Sequence, residues 1–156
     1  MIDHMTVTVK DLRASVAFYA AALKPLGYGV VMDFGEFVGF GDARKPYFFL
    51  RSGPVPTQPM HIAFSAPNRV KVQEFHDAAV KAGAKDDGRP GVRENYHPHY
   101  FGAFVIDLDG HPIEAVCHAP EKAQAKGKAK AAPKAKAKAK AKLKPGSKSK
   151  AKARRR

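Results

Sequence analysis

The sequence predicts an α+β fold of two tandem βαβββ modules, followed by a basic tail that stays disordered. One pattern, a strand followed by a helix and three short strands, occurs twice along the chain. The second copy begins 57 residues after the first, and several residues of the two copies correspond without gaps. Charge separates the tail, since residues 119–156 hold 16 of the 28 Lys and Arg residues and one acid. We therefore expect modules at 1–53 and 60–118, which form one domain over 1–118.

Composition indicates a cytoplasmic protein. Residues 1–118 carry 12 bases against 13 acids, so the formal net charge of +14 belongs to the tail. A domain of this length can bury a core without disulfides, and Cys117 is the only cysteine. Asp3 and His4 stand where a signal peptide would carry bases. No apolar stretch approaches the ~20 residues that span a bilayer, so we expect no membrane association.

The first module opens with a strand whose residues alternate between apolar and polar. Met5, Val7 and Val9 lie on one face, whereas His4, Thr6 and Thr8 lie on the other. Asp11 occupies an N-cap position, and the spacing of apolar residues predicts a helix over 12–24. Glycines and polar residues then separate three short strands, near 29–33, 36–41 and 46–51.

The second module repeats this order. His61 corresponds to His4, Asn68 to Asp11 and Phe75 to Phe18. We expect a strand over 61–66, a helix over 69–82, and strands near 84–87, 100–107 and 112–117. A loop containing Gly and Pro, residues 88–99, precedes the penultimate strand and carries His97 and His99.

Three side chains with metal-binding chemistry lie on the sheet faces that the helices leave open. Each helix covers one face of its own sheet, so His4, His61 and Glu114 fall on the opposite faces. They converge if the two sheets pack side by side around a common concavity. Two imidazoles and one carboxylate leave coordination positions free, as a catalytic Fe, Mn, Ni or Zn ion requires. The alternative for each histidine alone is an ordinary surface or strand-end residue.

The chain resembles the vicinal oxygen chelate superfamily, which includes glyoxalase I, bleomycin-resistance proteins and extradiol dioxygenases. The resemblance covers residues 1–118 and rests on the doubled module, on the opening His4 and His61, and on the closing run 104–114, Phe-Val-Ile-Asp-Leu-Asp-Gly-His-Pro-Ile-Glu. It implies a glyoxalase-like mixed-sheet fold and a metal-dependent enzyme, either a dioxygenase or a glyoxalase-like lyase. The oxygens of a small-molecule substrate would bind at the two-His-one-Glu metal centre.

The resemblance also implies roles for residues around the metal. Glyoxalase I has a fourth metal ligand at the position where this chain has Phe48. The three ligands that remain resemble the metal-binding set of the extradiol dioxygenases. The active-site histidine of the extradiol dioxygenases corresponds to His97, which would act as an acid or a base. Two other residues depart from the dioxygenase pattern, since Phe104 replaces the tyrosine and Leu108 replaces the proline. Tyr100 is a candidate hydrogen-bond donor to substrate, and the alternative for it and His97 is a polar loop. The candidates for an apolar substrate pocket, for each of which simple core packing is the alternative, are Phe48, Leu50, Phe101 and Phe104.

The tail is a separate candidate for binding. Residues 127–156 alternate Lys and Ala, with Gly and Pro interruptions, and end in three arginines. Mutual repulsion of the lysines predicts disorder, and in composition the segment resembles linker-histone-like tails. Such a segment binds phosphates of nucleic acid or another polyanion without sequence preference.

Three classes of function follow from these features. The first is the metal-dependent enzyme, and the second is a metal-free ligand-binding protein like the bleomycin-resistance proteins. The third is a nucleic-acid-associated protein that acts through its tail. Small members of the resembled family often dimerise, so a homodimer is expected, with the site either within one chain or across two.

Overall fold

The computed structural model describes residues 2–120, which belong to one compact unit. The elements of the first module are β1 (Met5–Val9), α1 (Leu12–Leu23), a short 3-10 turn (Lys24–Leu26), β2 (Gly29–Asp33), β3 (Phe37–Gly41) and β4 (Pro46–Ser52). They form a four-stranded sheet of order β1-β4-β3-β2, in which β1 is parallel to β4 and the other neighbours are antiparallel. The strand β1 therefore lies at an edge of its sheet.

The second module has the same topology. Its elements are β5 (Ile62–Ser65), α2 (Arg69–Lys81), β6 (Lys85–Val92), β7 (Phe101–Ile106) and β8 (Pro112–Cys117). The sheet order is β5-β8-β7-β6, again with one parallel pair, β5 and β8. This mixed-sheet α+β architecture confirms the predicted pair of βαβββ modules.

Equivalent residues start the two helices. Asp11 and Asn68 have extended backbones, and their side chains accept hydrogen bonds of 3.0 Å from the backbone N–H groups of Ala14 and Lys71, respectively. Each cap satisfies a donor that the first helical turn leaves unpaired. The repeat in the sequence is thus a repeat of local hydrogen bonding as well.

The helix-covered faces of both sheets share a single hydrophobic core. The rings of Phe48 in β4 and Phe64 in β5 lie 5.4 Å apart, and α1 contacts α2. The Tyr19 hydroxyl of α1 also donates a buried hydrogen bond of 2.6 Å to Asp107, in the turn after β7. Because this core occupies the helix-covered faces, the sheet faces that carry His4 and Glu114 point away from it.

The strand β6 is longer than the sequence pattern predicts. It continues through Gly88, Pro90 and Gly91 to Val92, where the pattern indicates a loop. Its pairing with β7 shifts register around Gly88 and again before Gly91. An edge strand tolerates proline and bulges because its outer hydrogen bonds have no partner strand. The loop proper is therefore residues 93–100.

The predictions for the tail beyond residue 120, including its disorder, lie outside the described residues, and the domain boundary at residue 118 stays a prediction. Between residues 2 and 120, none of the helices has the length and apolar character needed to cross a bilayer.

Candidate functional site

Glu114 is a buried carboxylate on the open face of the second sheet. It lies in the central strand β8, between Ala63 of β5 and Phe104 of β7. Its neighbours Ile113 and Ala115 point into the shared core, so the alternation of the strand turns Glu114 to the other face. It is only 2% exposed. A carboxylate removed from water to this extent is costly unless it is paired or hydrogen-bonded.

The two oxygens of Glu114 have different partners. His61 Nε2 lies 3.1 Å from Oε2, and the Tyr100 hydroxyl donates a hydrogen bond of 2.5 Å to Oε1. The His61 side chain is 55% exposed, so the His61 edge of the pair faces solvent, while the Tyr100 edge is partly buried. Ligand atoms that share a divalent ion at bond lengths of about 2.0–2.2 Å lie about 3 Å apart, and the spacing of His61 Nε2 and Glu114 Oε2 fits that requirement.

Tyr100 is held as a hydrogen-bond donor. Burial of the phenol raises its pKa, and the hydrogen bond to Glu114 and the carboxylate charge raise it further. The ring makes edge-on contacts with Tyr96 at 4.9 Å and His118 at 5.1 Å. Its hydroxyl is thus protonated at neutral pH and directed at Glu114.

Gly102 makes room for this hydrogen bond. A Cβ at this position would lie 2.9 Å from Glu114 Oε1 and 3.1 Å from the Tyr100 ring. Gly102 is not among the residues predicted from the sequence. The available signal was its place two residues before Phe104 in a strand, which puts both on the Glu114 face.

His4 lies on the other sheet. Its Nδ1 is 2.9 Å from an Asp3 carboxylate oxygen, and its ring contacts Phe49 edge-on at 5.6 Å. Among residues 2–120, no group of three or more His, Cys, Asp or Glu side chains is arranged to hold a metal ion. The structure therefore brings His61 and Glu114 together but not His4 with them, and the three-ligand set stays a prediction.

His97 lies beside Tyr100, in the loop over residues 93–100. Its ring is 6.3 Å from the Tyr100 ring and stacks at 5.2 Å on His118, and its Nδ1 accepts a hydrogen bond from the backbone of His99. The sequence analysis does not include His118 among the candidates. The structure places the three histidines in one exposed cluster that reaches Glu114 through Tyr100.

The four candidate pocket residues fall in different places. Leu50 and Phe101 are buried in the shared core. Phe48 is also in the core, and it lines a cavity of about 190 Å³ together with His4 and Ala63. Only Phe104 shares the open face with Glu114, where its ring is 6.4 Å from that of His61.

Arg93 adds positive charge to this face. Its guanidinium lies 5.4 Å from the centre of the Phe104 ring and donates a hydrogen bond to the Arg89 carbonyl. The sequence analysis does not identify Arg93, because its position follows from the bulged path of β6.

The comparisons with known proteins agree with this architecture. The family model described as glyoxalase/bleomycin resistance protein/dioxygenase superfamily matches residues 1–115. A glyoxalase/bleomycin resistance protein from Albidiferax ferrireducens is similar at 27% identity, covering 74% of this chain and 97% of that one, with a TM-score of 0.63. No curated protein matches the chain.

More distant solved structures share the fold. A glyoxalase-related enzyme from Fulvimarina pelagi is 20% identical, covers 75% of this chain and 87% of that one, and has a TM-score of 0.58. A fosfomycin resistance protein from Mesorhizobium loti is 18% identical, covers 75% and 91%, and also has a TM-score of 0.58. The family match spans most of the chain, and the chain belongs to the glyoxalase/bleomycin resistance protein/dioxygenase superfamily.

Proposed function

We propose that this chain is a metal-dependent enzyme acting on a small oxygen-bearing molecule, with dioxygenase or glyoxalase-like lyase chemistry. The metal ligands are His61, Glu114 and the His4 of a second copy of the chain, and the ion is Fe, Mn, Ni or Zn. The observation that carries the proposal is the buried Glu114 carboxylate, whose Oε2 lies 3.1 Å from His61 Nε2. The proposal places the protein in the cytoplasm, in keeping with its single, buried cysteine.

The donor set suits a borderline divalent ion. Imidazole nitrogen and carboxylate oxygen are ligands for each of the four metals named. Such an ion binds adjacent oxygens of a substrate and, depending on its identity, polarises a carbonyl or activates dioxygen. Phe104 offers an apolar wall beside His61, and Arg93 offers a cation for a negatively charged substrate.

A homodimer completes this site in the proposal. Each chain presents two half-sites on separate sheet faces, His4 on one and the His61–Glu114 pair on the other. A two-fold dimer that sets one face against the other generates two identical sites. The strands β1 and β5, which lie at sheet edges, also leave backbone groups free for a partner.

Metal analysis of protein purified without a tag or chelator tests the ligand set. Wild type should carry near-stoichiometric metal, and the His4→Ala, His61→Ala and Glu114→Ala variants should lose it. His99→Ala is the matched control, since this exposed histidine lies outside the ligand set and should leave metal content unchanged. A wild type that neither holds nor takes up Fe, Mn, Ni or Zn would defeat the enzyme proposal and favour metal-free ligand binding.

Mixing two deficient variants tests whether the site spans two chains. In a heterodimer of His4→Ala with His61→Ala, one of the two sites has both changes and the other has none. Random exchange of chains should then restore about one quarter of the wild-type sites. No restoration after complete subunit exchange would place all three ligands within one chain.

A second candidate function rests on the charge of the tail. Residues 119–156 hold 16 bases and one acid, which concentrates the positive charge outside the family domain. We propose that this segment binds phosphates of nucleic acid or another polyanion without sequence preference. It has no aromatic residues with which to stack on bases.

A further inference from the structure

The hydrogen bond between Tyr100 and Glu114 determines which carboxylate oxygen remains available. The Tyr100 hydroxyl, which is partly buried, donates to Oε1 at 2.5 Å, and the carboxylate that accepts this bond is 2% exposed. Oε2 is left on the side of His61, whose ring reaches solvent. A carboxylate held by one oxygen presents the other in a fixed direction.

Gly102 is the second component of this arrangement. A side chain there would place its Cβ 2.9 Å from Oε1 and 3.1 Å from the Tyr100 ring, in the space that the hydrogen bond occupies. The opposite residue in the ladder is Gly91 of β6, where a Cβ would meet the end of the flexible Arg93 side chain at 3.1 Å instead. An added methyl group would therefore disturb the Tyr100–Glu114 hydrogen bond at Gly102, but the end of the Arg93 side chain at Gly91.

We propose that Tyr100 and Gly102 are positioning residues that hold the Glu114 carboxylate in one orientation, so that Oε2 alone is directed at His61 and the metal ion. Glu114 would then offer one oxygen, Oε2, to a bound ion, because Oε1 is held by the Tyr100 hydroxyl. This inference rests on the proposed function. It gives Tyr100 a role through Glu114, beside the candidate role as a donor to substrate.

The arrangement can be tested first in metal-free protein. A hydroxyl that donates a 2.5 Å hydrogen bond to a buried carboxylate should show a slowly exchanging, downfield proton resonance. We expect this resonance in wild type and in Gly91→Ala, and its loss in Tyr100→Phe and Gly102→Ala. If Gly102→Ala keeps the resonance, or wild type lacks it, the positioning role is overturned.

Cobalt(II) titration tests the consequence for the metal. Loss of a group that orients a ligand typically costs about 10- to 100-fold in metal affinity, and we expect that loss in Tyr100→Phe and Gly102→Ala. Tyr96→Phe and Gly91→Ala are the controls and should bind within about twofold of wild type, because neither touches Glu114. The visible spectrum of bound cobalt should also change in Tyr100→Phe, since the released Oε1 can join Oε2 on the ion.

The outcomes separate the two proposals. Wild-type cobalt affinity and spectrum in Tyr100→Phe would overturn the positioning role while leaving the metal site intact. Absence of cobalt binding by wild type would overturn the proposed function, and the proton resonance would still decide whether Tyr100 and Gly102 orient Glu114.

Discussion

Asp107 shows how single polar side chains join the two modules. Its Oδ1 accepts hydrogen bonds from the backbone N–H groups of Asp109 and His111, at 2.9 and 2.8 Å, which shape the turn before β8. Its Oδ2 accepts the hydrogen bond from the Tyr19 hydroxyl. Burial and the charge of Asp107 raise the pKa of that hydroxyl. One carboxylate therefore orients the strand that carries Glu114 and anchors it to α1.

Tyr19→Phe should destabilise the fold without removing core volume. The ring stays in place, but a buried carboxylate loses a donor, which costs about 1.5–3 kcal/mol. Thermal unfolding should show a lower melting temperature than wild type. Tyr28→Phe is the control, since Tyr28 also packs at the module boundary, 6.3 Å from Phe64, but is only half-buried. Equal melting temperatures for the two variants would contradict this role for Asp107.

Residue-level prediction from the sequence reaches some of the site. Strand alternation places Glu114 on the open face, and the module repeat singles out His61, so each of these two candidates follows from pattern alone. The contact of Tyr100 with Glu114 depends on the path of the 93–100 loop, and that of Gly102 on the register between β7 and β8. Neither is encoded in local periodicity, which specifies the face of a residue but not its neighbours on the adjacent strand.

At the scale of elements, His76 joins α2 to β6. This buried histidine lies 3.0 Å from an oxygen of Asp86, which also accepts a hydrogen bond from the Gly88 backbone at the first bulge. The hydrogen bond with His76 is the main cause that holds the pKa of Asp86 below its usual range. The irregular start of β6 is thus hydrogen-bonded to the helix that covers its sheet.

Asp86→Asn should lower the melting temperature at neutral pH, and the difference from wild type should vanish in acid. A carboxyl whose pKa is lowered by folding contributes stability above its unfolded value, near pH 4, and loses it as pH falls through the folded value. Melting temperatures from pH 7 to pH 3 test this. Asp87→Asn, a neighbouring exposed carboxyl, is the control. A difference that persists unchanged at pH 3 would show that the hydrogen-bonded Asp86 carboxylate is not its source.

Most elements could be predicted because their signals are local. The caps Asp11 and Asn68 and the alternation of β1 depend on neighbours in sequence, and the structure reproduces them within a residue or two. The full length of β6 was not predicted, because Gly88, Pro90 and Gly91 favour loops by propensity. Pairing with β7 overrides that propensity, and tertiary pairing is not visible in a single strand.

At the scale of the whole molecule, we propose two binding regions of different chemistry. The open sheet faces present histidine, carboxylate and aromatic groups for a small molecule. The tail presents almost nothing but positive charge and sits outside the family match. Since residues 1–118 are close to neutral, electrostatic attraction to a polyanion has to come from the tail.

A chain that ends at residue 120 should therefore lose polyanion binding and keep its metal. Full-length protein should bind duplex DNA of unrelated sequences equally, and its affinity should fall about 10³- to 10⁵-fold between 50 and 200 mM salt if six to ten phosphates are contacted. A variant with the Lys and Arg residues of 127–156 replaced by Gln controls for length and should behave like the truncation. DNA binding that survives truncation, or that does not depend on salt, would assign the DNA contact to the folded domain. Loss of metal on truncation would show that the tail contributes to the metal site on the sheet.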